Sequence, residues 1–304
     1  MAFNWQTFKT RALTAIVFAV VMLIGLLWNH WSFLVLFSII HFGCWWEYLK
    51  LTEKIHLASG ETSFHPYTKL GLMVMGYGLM LWFCGPAYHI NGYGLKENIS
   101  LPVSAAGFAL LVIGIFQKNA IKLKVFGMAV LGLVYISLCW GLMLDLRNYL
   151  MITEDGILML DYGYIIPATI IFSIWINDTM AYIVGSLIGK TPLSAISPKK
   201  TWEGTIGGIL LCILIVGLVI SSILLKGIAG DVSFSIGKIH WFIIPAIAAV
   251  TGTFGDLLES KLKRMAGVKD SGSLMPGHGG FLDRFDSLLL ATPFVWLYIQ
   301  LFMK

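Results

Sequence analysis

The chain has 304 residues, of which 58% are hydrophobic and 12% are charged, and its formal net charge is +5. A soluble globular domain carries roughly 25% charged residues, so this composition excludes a soluble enzyme, a disordered protein and an ordinary nucleic-acid-binding protein. The hydrophobic residues fall in long runs, which predicts an all-α, polytopic integral membrane protein.

Nine apolar segments are candidates for membrane-spanning helices, each of which needs about 20 mostly apolar residues. In chain order they are 11–29, 31–49, 67–86, 102–117, 124–145, 163–188, 203–226, 240–258 and 285–303. We expect the first to be a retained helix, because no small-residue cleavage site follows it. The sixth contains Asn177 and Asp178, so we expect it to tilt or break.

We expect a single membrane domain over residues 1–304, with N-terminal helices in 1–160 and the catalytic helices and loops in 161–304. If the N terminus is cytoplasmic, 16 of the 21 lysines and arginines lie on the cytoplasmic side, as the positive-inside rule requires. The four cysteines lie singly inside apolar runs and are expected to be buried side chains. The pairs Gly185/Gly189 and Gly204/Gly208 have the spacing that favours close helix packing.

The most polar segment of the chain is 256–287, which directly follows the eighth apolar run. On a helix, Asp256, Ser260 and Lys263 share one face, and Asp283 and Asp286 share a face where the last span begins. A glycine-rich run lies between these two groups, and its backbone can approach an anion closely. Carboxylates bind Mg²⁺ and basic side chains bind phosphate, so the segment predicts a metal and phosphate site. The alternative is ordinary charged flanking of membrane helices.

Three further polar features precede this segment. The run 197–204 contains a Ser-Pro turn followed by Lys199 and Lys200, which could bind phosphate or could simply form a positive cytoplasmic loop. Asp178 lies inside an apolar run with Tyr182 on roughly the same face, so its carboxylate must face a polar cavity or a partner helix. Glu47 lies near a span end and is expected to be interfacial.

The run from Ser260 to Asp286 resembles the sequence pattern of phosphatidate cytidylyltransferases, also called CDP-diacylglycerol synthases. That pattern is Ser-x-x-Lys-Arg, Lys-Asp, Pro-Gly-His-Gly-Gly and Asp-Arg-x-Asp. The residues that match it are Ser260, Lys263, Arg264, Lys269, Asp270, Pro276, Gly277, His278, Gly279, Gly280, Asp283, Arg284 and Asp286. The runs 178–182, 197–204 and 255–256 also resemble that family, whereas the N-terminal half is similar to it only in being apolar helices.

The resemblance implies the reaction of CTP with phosphatidate to give CDP-diacylglycerol and pyrophosphate. It also implies Mg²⁺ dependence, with room for a second, monovalent cation such as K⁺, and a homodimer. The expected location is the inner membrane of a bacterium, with the active site facing the cytoplasm.

The resemblance also assigns roles by position. The implied catalytic residues are Asp256, Asp283, Lys263 and Arg264. Asp256 and Asp283 are the implied metal ligands, with Asp286 in support. The implied substrate-binding residues are Ser197, Lys199, Lys200, Thr201, Ser260, Lys269, Asp270, His278, Gly279, Gly280 and Arg284. The roles of Asp178 and Tyr182 remain open.

Two other functions fit parts of the pattern. A CTP-dependent polyprenol or lipid kinase would use the same nucleotide in the same setting, but it would transfer the γ-phosphate and release CDP. An ion-coupled transporter would explain a carboxylate such as Asp178 within a span and glycine-interrupted helices. The polar residues concentrate on one face, without matched halves, which favours the enzyme.

Overall fold

The structure is a computed structural model that describes residues 5–57, 63–117, 123–149, 151–152, 159–160, 163–226, 237–272 and 279–303. Helices make up most of these residues. They are α1 (Trp5–Leu27), α2 (His30–Leu57), α3 (Pro66–Leu81), α4 (Ser100–Ile115), α5 (Leu123–Gly132), α6 (Cys139–Arg147), α7 (Ile165–Ile188), α8 (Trp202–Lys226), α9 (His240–Met265) and α10 (Leu282–Phe302).

Short π-helical and extended segments connect these helices. The π-helical segments Leu95–Ile99 and Leu133–Leu138 lead into α4 and α6. The strands are β1 (His89–Ile90), β2 (Tyr93–Gly94), β3 (Met151–Ile152), β4 (Met159–Leu160), β5 (Pro192–Ser194) and β6 (Ser197–Thr201). They pair as three antiparallel two-stranded ladders, β1 with β2, β3 with β4 and β5 with β6.

Seven of the described helical segments are long and apolar enough to cross a membrane. They are His30–Leu57, Leu95–Ile115, Phe126–Arg147, Ile165–Ile188, Trp202–Ser222, His240–Met265 and Leu282–Phe302. The described apolar part of α1, Leu13–Leu27, is shorter, and α3 has 16 residues. The all-α, polytopic membrane class is therefore confirmed, whereas nine spans and a cytoplasmic N terminus stay predictions.

Two helices continue well beyond their apolar runs. α2 continues to Leu57 and α9 continues to Met265, beyond the predicted ends at 49 and 258. The added turns carry lysines and glutamates, which are good helix formers, and no proline or glycine stops them. Of the tilt or break expected in the sixth segment, the break does not occur, because α7 runs without interruption from Ile165 to Ile188. A tilt stays a prediction.

The chain divides into two compact units. Unit 1 comprises Met1–Leu144 and Lys261–Phe285, and unit 2 comprises Asp145–Ser260 and Asp286–Lys304. The boundary falls within α6, α9 and α10. The expectation of one membrane domain over residues 1–304 stays a prediction.

Small residues set the helix packing inside each unit. In unit 1, α3 packs on α4, and a Cβ at Gly71 would lie 2.5 Å from the backbone nitrogen of Leu111. In unit 2, α7 packs on α8, and a Cβ at Gly204 would lie 2.9 Å from the Cα of Gly185. The close helix packing predicted from the glycine spacing is therefore confirmed. The four cysteines are buried and form no disulfide, as predicted.

Candidate active site

The most concentrated acidic group of unit 2 lies where α9 and α10 meet. Asp256 and Glu259 are one helical turn apart on α9, and Asp286 lies on α10. One carboxylate oxygen from each of the three lies within 4.8 Å of the others. Glu259 and Asp286 are buried and Asp256 is half-buried. Carboxylate oxygens are the ligands that divalent cations such as Mg²⁺ and Ca²⁺ prefer, so this arrangement is that of a candidate metal site.

Gly255 allows the two helices to approach closely at this cluster. A Cβ at Gly255 would lie 2.5 Å from the carbonyl oxygen of Asp286 and 2.9 Å from the Cα of Ser287. Both of these atoms belong to the backbone of α10, so no side-chain rotation could relieve the contact. The absence of a side chain at Gly255 therefore fixes the separation of Asp256 and Asp286.

We expect Gly255→Ala to destabilise the protein by about 1–3 kcal/mol and to reduce activity, because the added methyl group overpacks the contact with α10. Gly252→Ala is the matched control on the same helix. A Cβ at Gly252 would lie 3.4 Å from Ile174 and 3.5 Å from Ser287, which are ordinary contacts. Thermal unfolding in detergent and turnover should separate the two variants. Equal effects would contradict this account of Gly255.

A lysine from the β5–β6 hairpin also reaches the cluster. The ammonium group of Lys200 on β6 forms an ion pair with the carboxylate of Asp256, and each side chain is about 30% exposed. The hydroxyl of Ser260 donates to the other oxygen of Asp256 at 3.2 Å. The Asp256 carboxylate is therefore held by partners on both oxygens.

The hairpin is anchored to the first turn of α8. The carboxylate of Glu203 accepts hydrogen bonds from the backbone N–H groups of Lys190 and Thr191 at 3.1 Å and from the hydroxyl of Thr191 at 2.8 Å. The backbone N–H of Trp202 donates to the carbonyl of Thr191 at 2.9 Å. These contacts fix the strand that carries Lys200.

A cavity of about 470 Å³ lies beside this hairpin, within the size range of small-molecule sites. The residues that line it are Asn177, Asp178, Ala181, Tyr182, Gly185, Ser186, Ser197, Lys199, Lys200, Thr201, Thr205, Thr253 and Asp256. The structure thus brings together the four predicted substrate-binding residues of the hairpin, Asp256, and the two residues of open role, Asp178 and Tyr182. Asp178 faces a polar cavity, which was one of its two expected environments.

The remaining predicted site residues lie in unit 1. The carboxylate of Asp283 accepts from the Lys263 ammonium group at 2.7 Å through Oδ1, and from the backbone N–H groups of Ser271 and Gly280 at 2.9 and 2.8 Å through Oδ2. Gly279 has φ +83, a conformation that favours glycine, and a Cβ there would lie 2.6 Å from Oδ2 of Asp283. The loop backbone therefore wraps the carboxylate of Asp283.

The other basic and acidic residues of this segment are at the surface of unit 1. Arg264, Lys269, Asp270 and Arg284 are exposed. Pro276, Gly277 and His278 lie outside the described residues, so their predicted roles stay predictions.

Sequence reasoning missed two carboxylates. Glu259 lies three residues after Asp256, and this spacing places both on one helix face. The predicted site included only Asp256, Ser260 and Lys263 from that face. Glu47 was expected to be interfacial, which stays a prediction, but its burial (4% exposed) and its hydrogen bonds inside unit 1 were not predicted. A carboxylate within an apolar run was the available signal.

The fold and these residues define a polytopic membrane protein with a cavity where basic side chains meet a carboxylate cluster. The sequence profile of the cytidylyltransferase family matches residues 9–302. The chain belongs to that family, and it is accordingly a nucleotidyltransferase.

Curated relatives agree with this assignment. The phosphatidate cytidylyltransferase of Bacillus subtilis (strain 168) is 32% identical over 299 residues, which cover 97% of this chain and 98% of that protein. The phosphatidate cytidylyltransferase of Staphylococcus saprophyticus is 35% identical over 205 residues, covering 67% of this chain and 68% of that protein. The enzyme of the same name from Thermotoga maritima is 39% identical over 144 residues, covering 46% and 51%. The resemblance drawn from the C-terminal motifs is therefore confirmed.

Proposed function

We propose that this chain transfers the cytidylyl group of CTP to phosphatidate, which gives CDP-diacylglycerol and pyrophosphate for phospholipid biosynthesis. The observation that carries the proposal is the cavity of unit 2, where Lys199, Lys200 and Asp256 line a space of small-molecule size. Membership of the cytidylyltransferase family supports the cytidylyl group as the group that is transferred. The names of the relatives support phosphatidate as the acceptor.

This reaction requires charge neutralisation more than it requires a nucleophile from the protein. The second pKa of a phosphomonoester is about 6, so the phosphate of phosphatidate is largely a dianion at neutral pH. One of its oxygens bonds to the α-phosphorus of CTP, and the bond from that phosphorus to the leaving pyrophosphate breaks. Because the attacking oxygen is already ionised, the protein must bind, orient and neutralise the phosphates.

We assign this neutralisation first to the basic residues of the cavity in unit 2. Lys199 and Lys200 lie on the cavity wall and would donate to phosphate oxygens of CTP, with the hydroxyls of Ser197 and Thr201 beside them. The ion pair with Asp256 orients the Lys200 ammonium group beside the cavity. Neutralisation of the remaining phosphate charge by Lys263, Arg264 and Arg284 stays a prediction from their basic chemistry.

The acidic cluster fits a divalent cation, because it offers three carboxylate oxygens within 4.8 Å of one another. Asp256, Glu259 and Asp286 would hold the ion, and we propose that it is Mg²⁺, which prefers oxygen ligands. When bound, it supplies Lewis-acid neutralisation of phosphate oxygens. Asp283 as a further ligand and K⁺ as a second cation stay predictions.

We propose the membrane arrangement from the charge distribution and from the relatives. The positive-inside distribution of lysine and arginine supports a cytoplasmic N terminus and an active site that faces the cytoplasm. CTP reaches such a site from water, while the acyl chains of the lipid stay in the bilayer. The bacterial relatives support the inner membrane of a bacterium. The homodimer rests on the family resemblance.

The test uses purified protein in mixed micelles with phosphatidate, Mg²⁺, and CTP labelled on either the α- or the γ-phosphate. We expect the α-label to enter the lipid and the γ-label to leave as pyrophosphate. Transfer of the γ-label to lipid with release of CDP would instead identify a lipid kinase. Absence of both labels from the lipid would overturn the proposal, and nucleotide-independent uptake into liposomes would then favour a transporter.

A further inference from the structure

A buried carboxylate of the N-terminal helices holds the segment that leads into α10. Glu47 lies within α2, and only 4% of its surface is exposed. Its Oε2 accepts a hydrogen bond from the hydroxyl of Ser271 at 2.7 Å and another from the backbone N–H of Leu282 at 2.8 Å. Both donors belong to unit 1 and are themselves buried. Burying a carboxylate is costly, and these hydrogen bonds offset part of that cost.

Ser271 connects Glu47 to Asp283. The Ser271 hydroxyl oxygen accepts from the backbone N–H of Asp283 at 3.3 Å, while its own backbone N–H donates to Oδ2 of Asp283 at 2.9 Å. The Oδ1 atom of Asp283 accepts from Lys263 at 2.7 Å. A continuous chain of hydrogen bonds therefore joins Glu47 to the Lys263–Asp283 ion pair.

Glu47 also acts at the beginning of α10. Leu282 is the first residue of that helix, so its N–H has no acceptor within the helix. The carboxylate of Glu47 supplies the acceptor, and its negative charge is favourable at a helix N terminus. The first turn of α10, which carries Asp283, is therefore fixed from α2.

Two glycines leave the space that the Glu47 carboxylate fills. A Cβ at Gly272 would collide with Oε1 of Glu47, and a Cβ at Gly280 would collide with both of its carboxylate oxygens. The loop backbone therefore closes directly on the carboxylate. A side chain at Gly272 or Gly280 would occupy the space of the Glu47 carboxylate, which explains why both positions are glycine.

We propose that Glu47 is a positioning residue for the cytidylyl transfer, acting through Ser271 and the first turn of α10 on Asp283 and Lys263. The inference rests on the proposed function, since it assigns Glu47 to the support of two residues of that reaction. It also gives the N-terminal helices a role in the chemistry, which their apolar sequence did not indicate.

The central comparison is between Glu47→Gln and Glu47→Met. Glutamine presents a carbonyl oxygen that can accept both hydrogen bonds, so we expect kcat within about fivefold of wild type. Methionine has a similar length but offers no comparable acceptor. We expect it to lower kcat by about 100-fold, since small misplacements have effects of that size, and to change KM for CTP by less than about threefold.

Ser271→Ala provides a second route to the same test, because it removes only the connecting hydroxyl. We expect it to lower kcat by about tenfold, which corresponds to one hydrogen bond. Adding Glu47→Met to Ser271→Ala should lower kcat by less than the product of the two single effects, because both act on one network. If Glu47→Met does not fold, the kcat values of Ser271→Ala and Glu47→Gln still test the positioning role.

Glu53→Gln is the matched control, since Glu53 lies on the same helix and accepts from Lys69 and the Phe64 N–H instead. We expect it to retain wild-type kcat. Wild-type kcat in both Ser271→Ala and Glu47→Met would overturn the positioning role, and so would equal losses in Glu47→Gln and Glu47→Met. An inactive wild type would instead count against the proposed function, so the two failures are distinguishable.

Discussion

Replacing Asp256 with asparagine is expected to lower kcat by about 1,000-fold. This is the upper end of the effects seen when one group that stabilises the charge of a transition state is removed. The same change should leave the folded protein as stable as wild type. Asparagine keeps the shape of the side chain, and its amide can donate to the hydroxyl of Ser260 where the carboxylate accepted. Removing one of three neighbouring negative charges also reduces the repulsion among them. Turnover and thermal unfolding in detergent, measured on the same preparation, check both parts.

Asp145→Asn is the control for this variant. The Oδ2 atom of Asp145 accepts from the Trp296 indole at 2.6 Å and from the Gln300 amide at 3.3 Å. Because both donors meet one oxygen, the carbonyl of an asparagine can replace it. We therefore expect Asp145→Asn to retain activity within about threefold of wild type. Activity in Asp256→Asn close to that of wild type would contradict the role of Asp256.

Asp283→Asn is expected to lose both activity and stability. Both oxygens of Asp283 accept from donors, namely the Lys263 ammonium group and the N–H groups of Ser271 and Gly280. The amide nitrogen of an asparagine would have to face one of them, which leaves a donor in a mostly buried site without an acceptor. We expect a loss of about 1–3 kcal/mol in the free energy of unfolding and a fall in kcat of about 100-fold or more.

The contrast between the two asparagine variants is itself diagnostic. Asp256→Asn should be inactive and stable, whereas Asp283→Asn should be inactive and unstable. Asp145→Asn again serves as the stability control, since its carbonyl can meet both donors. A transition temperature for Asp283→Asn equal to that of wild type would show that the loop contacts described above do not hold that carboxylate.

The apolar runs predicted most of the helices, because hydrophobic length is a direct requirement of the bilayer. They predicted helix ends poorly, since a helix continues into polar sequence wherever helix-forming residues allow, as at Lys54 in α2 and Lys263 in α9. The break expected as one outcome near Asn177 and Asp178 does not occur, because α7 is continuous from Ile165 to Ile188. Asp178 lines the cavity beside this helix.

Part of the candidate site could be predicted from the sequence. The polar run 197–204, Asp256 and Asp178 were predicted as polar features, and the structure groups residues of all three around one cavity. Glu259 was accessible from its spacing to Asp256. The contact of Glu47 with Ser271 joins positions 224 residues apart, and no periodicity within either segment predicts such a pairing. The loop wrapped around Asp283 likewise depends on Gly279 and Gly280 in specific backbone positions.

The central claim is that Asp256, Glu259 and Asp286 hold the divalent cation of the reaction. The most direct measurement is the anomalous density of Mn²⁺ in crystals of the wild-type protein, because Mn²⁺ shares the oxygen preference of Mg²⁺. We expect one peak within bonding distance of carboxylate oxygens of Asp256 and Asp286, lost in Asp286→Asn. A wild-type protein that turns over with Mn²⁺ but shows its peak away from these carboxylates would contradict it.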